Sequence, residues 1–444
     1  MTQLSLDIDK TLQQLTHANR FVIALSGGLD SIVLTTLVKQ WCHENDKSCI
    51  AVHVHHGLSA NADHWVDVVK NFCHQIELQC VIEHVQLDLN NGDSIEQQAR
   101  QKRYQALSQH IGDNDVLLTG QHADDQLETF LLALKRGSGP KGLSSMPQCA
   151  PFGKGFIVRP LLQVARSELE AYAQSQKLKW IEDESNDDER YDRNFLRHRI
   201  VPELKMRWPS IASSVERSAQ LCAEQESLLD ELLSDRLENA INADGSLSIA
   251  PLVAISDLMR NRLIRMWFEQ LGKLMPSAKQ LSLIWQEVAL AKEDANPILN
   301  VVDCQVRRFS NKLYLVERGE DLTQWTYQIT LNEPVQLPDD LGCLCLEKCG
   351  SGGSLSLNEE QLAGLTVTFD PEGLSAKPVG RQHSRKLKKL FQEYQVPSWL
   401  RRRTPIILFE GKVVAVVGLF VDQAFSGQEC DVVWYKTTQF VQEL

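Results

Sequence analysis

An apolar run that reads as a strand, Phe21-Val22-Ile23-Ala24-Leu25, passes without a spacer into Ser26-Gly27-Gly28-Leu29-Asp30-Ser31 and then into a segment with Ile32, Leu34 and Leu37 at helical spacing. The glycines permit a tight turn and close backbone approach, so consecutive N–H groups and the N-terminus of the next helix can converge on an anion. The segment is a phosphate cradle by construction. It lacks the lysine of a Walker loop, which disfavours ordinary phosphoryl transfer. A plain Gly-Gly turn capped by Asp30 or Ser31 is the bland alternative, and the flanking strand and helix argue against it.

The same alternation continues for about 200 residues. Strands are predicted at Ile50 to Val54, Val81 to Val85, Val116 to Thr119 and Ile157-Val158, with helical patterns between several of them. Apolar strands separated by amphipathic helices imply an α/β domain, a doubly wound parallel sheet covered on both faces. From about Ile211 to Lys292 strand signals nearly vanish, and Leu221, Leu228, Leu229 and Leu232 recur at helical spacing, which predicts a mainly helical domain entered through one long helix. A hairpin is expected over Val301 to Val316, turning at Ser310-Asn311. After Glu333 to Pro338 the pattern becomes β-rich α+β, with one basic helical segment near Arg385 to Tyr394. The expected domains are 1–210, catalytic; 211–325, mainly helical with a terminal hairpin; and 326–444, β-rich.

Charge narrows the partners. The net charge of −12 argues against a molecule coated in polyanion, yet Arg381 to Arg403 carries eight Lys or Arg against the single acid Glu393. A polyanion should therefore bind locally, near the C-terminus. The longest apolar run, Val413 to Val421, has nine residues where a membrane span needs about 20. Eleven scattered cysteines without a CxxC pair suit a reducing compartment, and the N-terminus shows no basic region ahead of an apolar core, so a cytoplasmic protein without membrane contact is expected. Cys343 and Cys345 alternate as on one strand face, and structural packing explains them better than zinc.

Three further clusters carry chemistry. Val52-His53-Val54-His55-His56-Gly57-Leu58 follows a predicted strand, where a doubly wound sheet places nucleotide-binding loops. Ser94 and Gln97 have capping-box spacing at the head of a helix in which Glu96 and Arg100 are placed to pair. On that helix Arg103 is the candidate for an α-phosphate contact. In Gly120-Gln121-His122-Ala123-Asp124-Asp125-Gln126-Leu127-Glu128-Thr129, an apolar stripe of Leu127, Phe130, Leu131 and Leu134 leaves His122, Asp125 and Glu128 on a neighbouring polar face. That cluster suits magnesium, or a cationic substrate whose proton it accepts. The glycine-rich basic segment Lys135 to Ser144 is either a lid over a nucleotide or an ordinary helix-ending loop.

The motif Ser26 to Ser31 resembles the SGGxDS signature of the PP-loop ATP pyrophosphatases, which adenylate a carbonyl oxygen and release pyrophosphate. The resemblance implies that Ser26, Gly27, Gly28, Leu29, Asp30 and Ser31, with His53 and Arg103, hold ATP, and that Asp30 lies beside Mg2+. Taken in order with Arg159-Pro160-Leu161-Leu162, Trp180 to Asn186 and Tyr191 to Pro202, the clusters resemble the N-terminal domain of the tRNA(Ile)-lysidine synthetase family over about residues 18 to 208. Ser218 to Glu226 and the basic Gly380 to Arg403 region resemble its long, three-domain subclass.

Membership implies ligation of free L-lysine to C2 of the wobble cytidine of a CAU-anticodon tRNA(Ile), through a cytidine adenylated at O2, with AMP and pyrophosphate released. It assigns catalysis to Asp30, Arg103, Asp125 and Glu128, and lysine binding to His122, Asp125 and Glu128. It assigns tRNA contacts to Arg193, Arg197, Arg385, Lys386, Lys388, Lys389, Arg401, Arg402 and Arg403, and it is compatible with a homodimer. One departure stands out: many members carry two histidines where this chain has Gln121-His122. The alternatives are a tRNA thiolase of the same fold, which the unpaired N-terminal cysteines disfavour, and a nonenzymatic RNA-binding protein, which the intact loop disfavours.

Overall fold

The structure, a computed structural model, describes residues 3–15, 17–59, 61–87, 95–292, 295–350 and 352–436. The chain divides into two compact units, Met1–Leu229 and Asp230–Leu444, with the boundary inside one 28-residue helix, Ile211–Glu238.

In the first unit, six strands form one sheet: β1 (Phe21–Ala24), β2 (Cys49–His55), β3 (Cys80–His84), β4 (Val116–Leu118), β5 (Cys149–Phe152) and β6 (Gly155–Val158). Their order is β3-β2-β1-β4-β6-β5. All neighbours are parallel except β5, which joins the edge antiparallel to β6. The sequence expectation missed this edge strand. The helices are α1 (Gln3–Gln13), α2 (Leu29–Glu44), α3 (Ala62–Gln75), α4 (Ile95–Ser108), α5 (Ala123–Lys135), the short α6 (Pro140–Leu143) and α7 (Arg166–Ser175). Alternate residues of one strand serve opposite cores: Phe21 and Ile23 pack with Ile32, Leu34 and Trp41, while Val22 packs with Ile50, Val52, Leu107 and Leu117. Burial on both faces is why the strands read as unbroken apolar runs.

Strand order reverses between β1 and β4, so their following loops depart to opposite faces and leave a crevice at their carboxyl ends, where ligands bind in such sheets. Both motif-bearing loops start there. The unit closes through α8 (Asp192–Phe195), a π-helical turn at Leu196–Ile200 and α9 (Val201–Arg207). Leu127, Phe130 and Leu131 of α5 pack against Val201 and Val215, but Leu134 of the predicted stripe is exposed.

In the second unit, Leu233 and Leu237 enter a core built on Trp267 and Phe268, whereas Leu232, one of the leucines that revealed the helix, stays exposed, as does Leu228 just before the boundary. The expected hairpin is Gln305–Phe309 with Lys312–Val316, and Ser310 and Asn311 take φ of 45° and 58°, as a tight hairpin turn requires. The remainder is β-rich, with the basic helix at Leu387–Glu393. Cys343 and Cys345 lie on one strand, Cys343–Lys348.

Candidate active site

The first loop is fixed by its own hydroxyls. Ser31 Oγ donates to the Gly28 carbonyl at 2.9 Å and accepts from the Gly27 N–H at 3.1 Å, and Ser26 Oγ lies 3.1 Å from Ser31 Oγ. Gly27 has φ of +93°, a left-handed conformation that disfavours any side chain. The second loop, after β4, comes so close that a Cβ on Gly120 would stand 3.1 Å from the Asp30 carbonyl carbon. Glycine at 120 is thus what lets the two loops meet.

Between them opens a cavity of about 700 Å³, lined among others by Ser26, Asp30, His53, Arg103, Gln121 and Asp125. His53 is buried and its Nδ1 is 2.8 Å from the Leu25 carbonyl; burial pushes its pKa down. Arg103 Nε donates to His56 Nε2 at 3.3 Å. Burial, then the Arg103 charge, lowers His56 to about 4. Gln121, the departure from the two-histidine pattern, lines the cavity and accepts from Thr119 Oγ1 at 2.5 Å. Ser94 lies outside the described residues, as do the side chains of Glu96 and Gln97. Arg100 lies over the Tyr104 ring, 5.1 Å from its centroid.

His122 caps α5: its Nδ1 accepts from the Asp124 N–H at 3.2 Å, while the His122 backbone N–H donates to Asp125 Oδ2 at 3.1 Å. Burial opposes the charged form of this ring, but Asp30, Asp125 and Asp124 outweigh it and raise the pKa. The Asp124 N–H resists that rise, because a protonated Nδ1 cannot accept it.

The carboxylates are heavily engaged. Glu128, 1% exposed, accepts from Arg193 Nε at 2.8 Å and from Arg197 Nε at 2.7 Å. Asp125 Oδ1 accepts from Nη2 of both arginines at 3.0 Å. Asp124 pairs with Lys205, and Arg166 Nη1 stands 3.9 Å from Asp30 Oδ2. Arg193 and Arg197, which the family resemblance assigned to tRNA, therefore sit in the same cluster as the lysine-binding candidates.

Asp30 Oδ1 is buried with no hydrogen-bond partner. Such an oxygen suits Mg2+, which takes one or two carboxylates and fills its other positions with phosphate oxygens and water. Among the described residues no group of three His, Cys, Asp or Glu side chains could by itself hold a metal ion.

The remaining basic candidates lie in the second unit. Lys386, Lys388 and Lys389 are exposed and form no ion pair among the described residues. Arg385 pairs with Glu393, Arg402 with Glu372 at 3.5 Å, and Arg403 with Asp339 at 2.6 Å, while Arg401 Nε donates to the Val396 carbonyl at 2.9 Å.

Known proteins resolve what the geometry leaves general. A PP-loop domain family matches residues 2–204, a TilS substrate binding domain residues 247–314, and a TilS substrate C-terminal domain residues 365–436. The tRNA(Ile)-lysidine synthase of Vibrio vulnificus (strain CMCP6) is 56% identical over 437 residues, covering 98% of this chain and 100% of its own length. This chain belongs to the tRNA(Ile)-lysidine synthase family. The family's enzyme from Vibrio parahaemolyticus is 55% identical over 97% of this chain and all of its own, and that of Photobacterium profundum 51% over 95% and 97%. A solved U34-tRNA thiolase from Methanococcus maripaludis overlays at a TM-score of 0.44 and 18% identity, over 50% of this chain and 78% of its own, too loosely to bear on function. The thiolase alternative is not favoured.

Proposed function

We propose that this chain uses ATP to join the ε-amine of free lysine to C2 of the wobble cytidine in a CAU-anticodon tRNA(Ile). One observation carries the reading: Ser26, Asp30 and Ser31 of the cradle line one cavity with Asp125 and its partners Arg193 and Arg197, at the carboxyl ends of β1 and β4, with His122 and Glu128 buried behind Asp125. Full-length kinship to lysidine synthases supports a tRNA substrate, and lysine is the amine this reading assigns. The Ser26–Ser31 loop and the N-terminus of α2 bind the pyrophosphate portion of ATP, and Arg103 places a cation for the α-phosphate. Magnesium, held by Asp30, neutralises phosphate charge when bound.

Adenylation converts the cytidine O2 into a good leaving group, and the amine then displaces AMP at C2. The amine must be neutral to attack. Arg193 and Arg197 beside Asp125 and Glu128 disfavour a third cation there, so a lysine admitted to this cluster is biased towards its nucleophilic form. The C-terminal lysines 386, 388 and 389 bind tRNA phosphates. On this reading residues 1–210 carry the chemistry, and 211–325 and 326–444 bind the tRNA. The reaction draws on ATP, free lysine and tRNA, which places it in the cytoplasm; among the described residues no helix is long and apolar enough to cross a membrane.

The test is to incubate the protein with ATP, magnesium, radiolabelled lysine and the tRNA, then digest to nucleosides. Label on the wobble cytidine, with AMP and pyrophosphate released, is the expected result. Label absent while a sulfur donor yields a thiolated base would overturn it in favour of a thiolase, and no ATP consumption would favour an RNA-binding protein.

A further inference from the structure

His122 does more than a helix cap requires. Serine, threonine, aspartate and asparagine cap helices with less bulk. Here an imidazole is 1% exposed. Its Nδ1 accepts the Asp124 N–H at 3.2 Å. That bond assigns the neutral tautomer with the proton on Nε2. Nε2 is buried and has no hydrogen-bond partner. Its nearest acids come from the first turns of two different helices, Asp30 Oδ2 of α2 at 3.5 Å and Asp125 Oδ2 of α5 at 3.6 Å, distances beyond a tight hydrogen bond. A buried N–H thus sits between two carboxylates, one on the ATP side of the switch point and one on the side proposed for lysine.

We infer that His122 is a positioning residue whose Nε2–H bridges the Asp30 and Asp125 carboxylates, holding the adenylating and lysine-accepting halves of the cavity in register. The inference rests on the proposed lysine ligation. It also removes His122 as the base: its one unprotonated nitrogen is occupied by a backbone N–H. The bridge is a hydrogen-bond donor, and an amide N–H at the same reach can replace it.

Two substitutions separate bridge from cap. In His122→Asn the side-chain oxygen falls where Nδ1 was, so the cap is kept and the reach to the carboxylates is lost. In His122→Gln the amide N–H extends to where Nε2–H was, and the cap is lost. Melting temperature, AMP formation with tRNA, and kcat and KM for lysine and ATP are measured for both variants. The expected result is that His122→Asn melts like wild type but loses about 10- to 100-fold in AMP formation and in kcat/KM for lysine, the range for residues that orient a metal-binding or catalytic carboxylate. KM for ATP stays close to wild type because the Ser26–Ser31 cradle is intact. His122→Gln should melt a few degrees lower yet recover most of both activities.

Wild-type rates in His122→Asn would make the cap its whole role and overturn the inference. A folded His122→Gln as inactive as His122→Asn would overturn it too, by showing that the imidazole itself moves a proton. If wild type transfers no lysine to tRNA, the failure lies in the proposed function, and the bridge falls with it.

Discussion

Two basic stretches of this chain look alike in sequence and meet opposite fates. Arg193 and Arg197, in the catalytic unit, turn inward onto Asp125 and Glu128. Lys386, Lys388 and Lys389, in the C-terminal unit, face water without an acid partner among the described residues. The chemistry of the side chains follows the difference. Guanidinium groups present a fork that satisfies carboxylates bidentately and is weakly hydrated, whereas ammonium groups are strongly hydrated point charges. Cations matched to buried acids build a site; cations left in water recruit a polyanion.

The largest expected effect breaks the inward set. Arg193→Ala combined with Arg197→Ala leaves Glu128 buried and uncompensated, and should cost about 3 to 5 kcal/mol in stability. Denaturant unfolding of the catalytic unit checks it. Lys388→Ala should leave the same transition unmoved. Adding Glu128→Gln to the double variant should recover part of the loss, and no recovery would mean that the arginines act by packing.

Chemistry and tRNA binding should separate along the same line. Asp30→Asn should keep the fold and tRNA affinity while lowering AMP formation by about 10²- to 10³-fold, since it removes charge where phosphate charge develops. AMP formed at the wild-type rate would remove Asp30 from the site. Reversing Lys386, Lys388 and Lys389 to glutamate should do the converse. Each phosphate contact contributes about 0.7 to 0.9 to the slope of log affinity against log salt, so the slope should flatten by about 2 while ATP binding survives. An unchanged slope would assign the lysines to a solvated face.

The sequence revealed the sheet and the site more readily than the charges within it. Strands β1, β2 and β4 were legible because burial on both faces writes them largely as apolar runs, whereas the edge strand β3, half-buried, was legible from the β-branched pair Val81-Ile82. Strand β5 was not, because Pro151 inside Cys149–Phe152 argues against a strand except at an edge, and an edge is where it lies. The hairpin turn at Ser310-Asn311 was legible from the residues themselves. The leucines of the long helix announced a helix without saying which of them were core: Leu233 and Leu237 are buried, Leu228 and Leu232 are not. The meeting of the phosphate loop with the 120–128 loop followed from the sheet's switch point. The arginine partners of Glu128 lie 65 and 69 positions away, and no local pattern links residues so far apart. Their spacing was the one available signal: Arg193 and Arg197 share a helical face, as Asp125 and Glu128 do. His122 as a cap was equally hidden, since histidine is not a usual capping residue.

The smallest expected effect extends the comparison to what a cation does to its neighbours. Arg103 lies against His56, and burial together with that charge holds His56 near 4, below its ordinary 6.5. A base whose folded pKa is depressed binds its proton first in the unfolded chain. As pH falls through 6.5 the unfolded state gains protons that the folded state refuses, so stability declines until about pH 4, where folded His56 also protonates. At 1.36 kcal/mol per unit the ceiling is about 3 kcal/mol, and solvent reaching the cavity wall should reduce it to roughly 1. His53, also depressed by burial, adds a decline of the same sign. Unfolding of wild type and His56→Asn between pH 7 and 4 should therefore show a shallower fall in the variant, with the remainder due to His53 and other groups. Arg103→Met should also flatten the curve, by removing the charge while keeping much of the bulk. Parallel curves for wild type and His56→Asn would mean that His56 titrates freely and that Arg103 does not press on it.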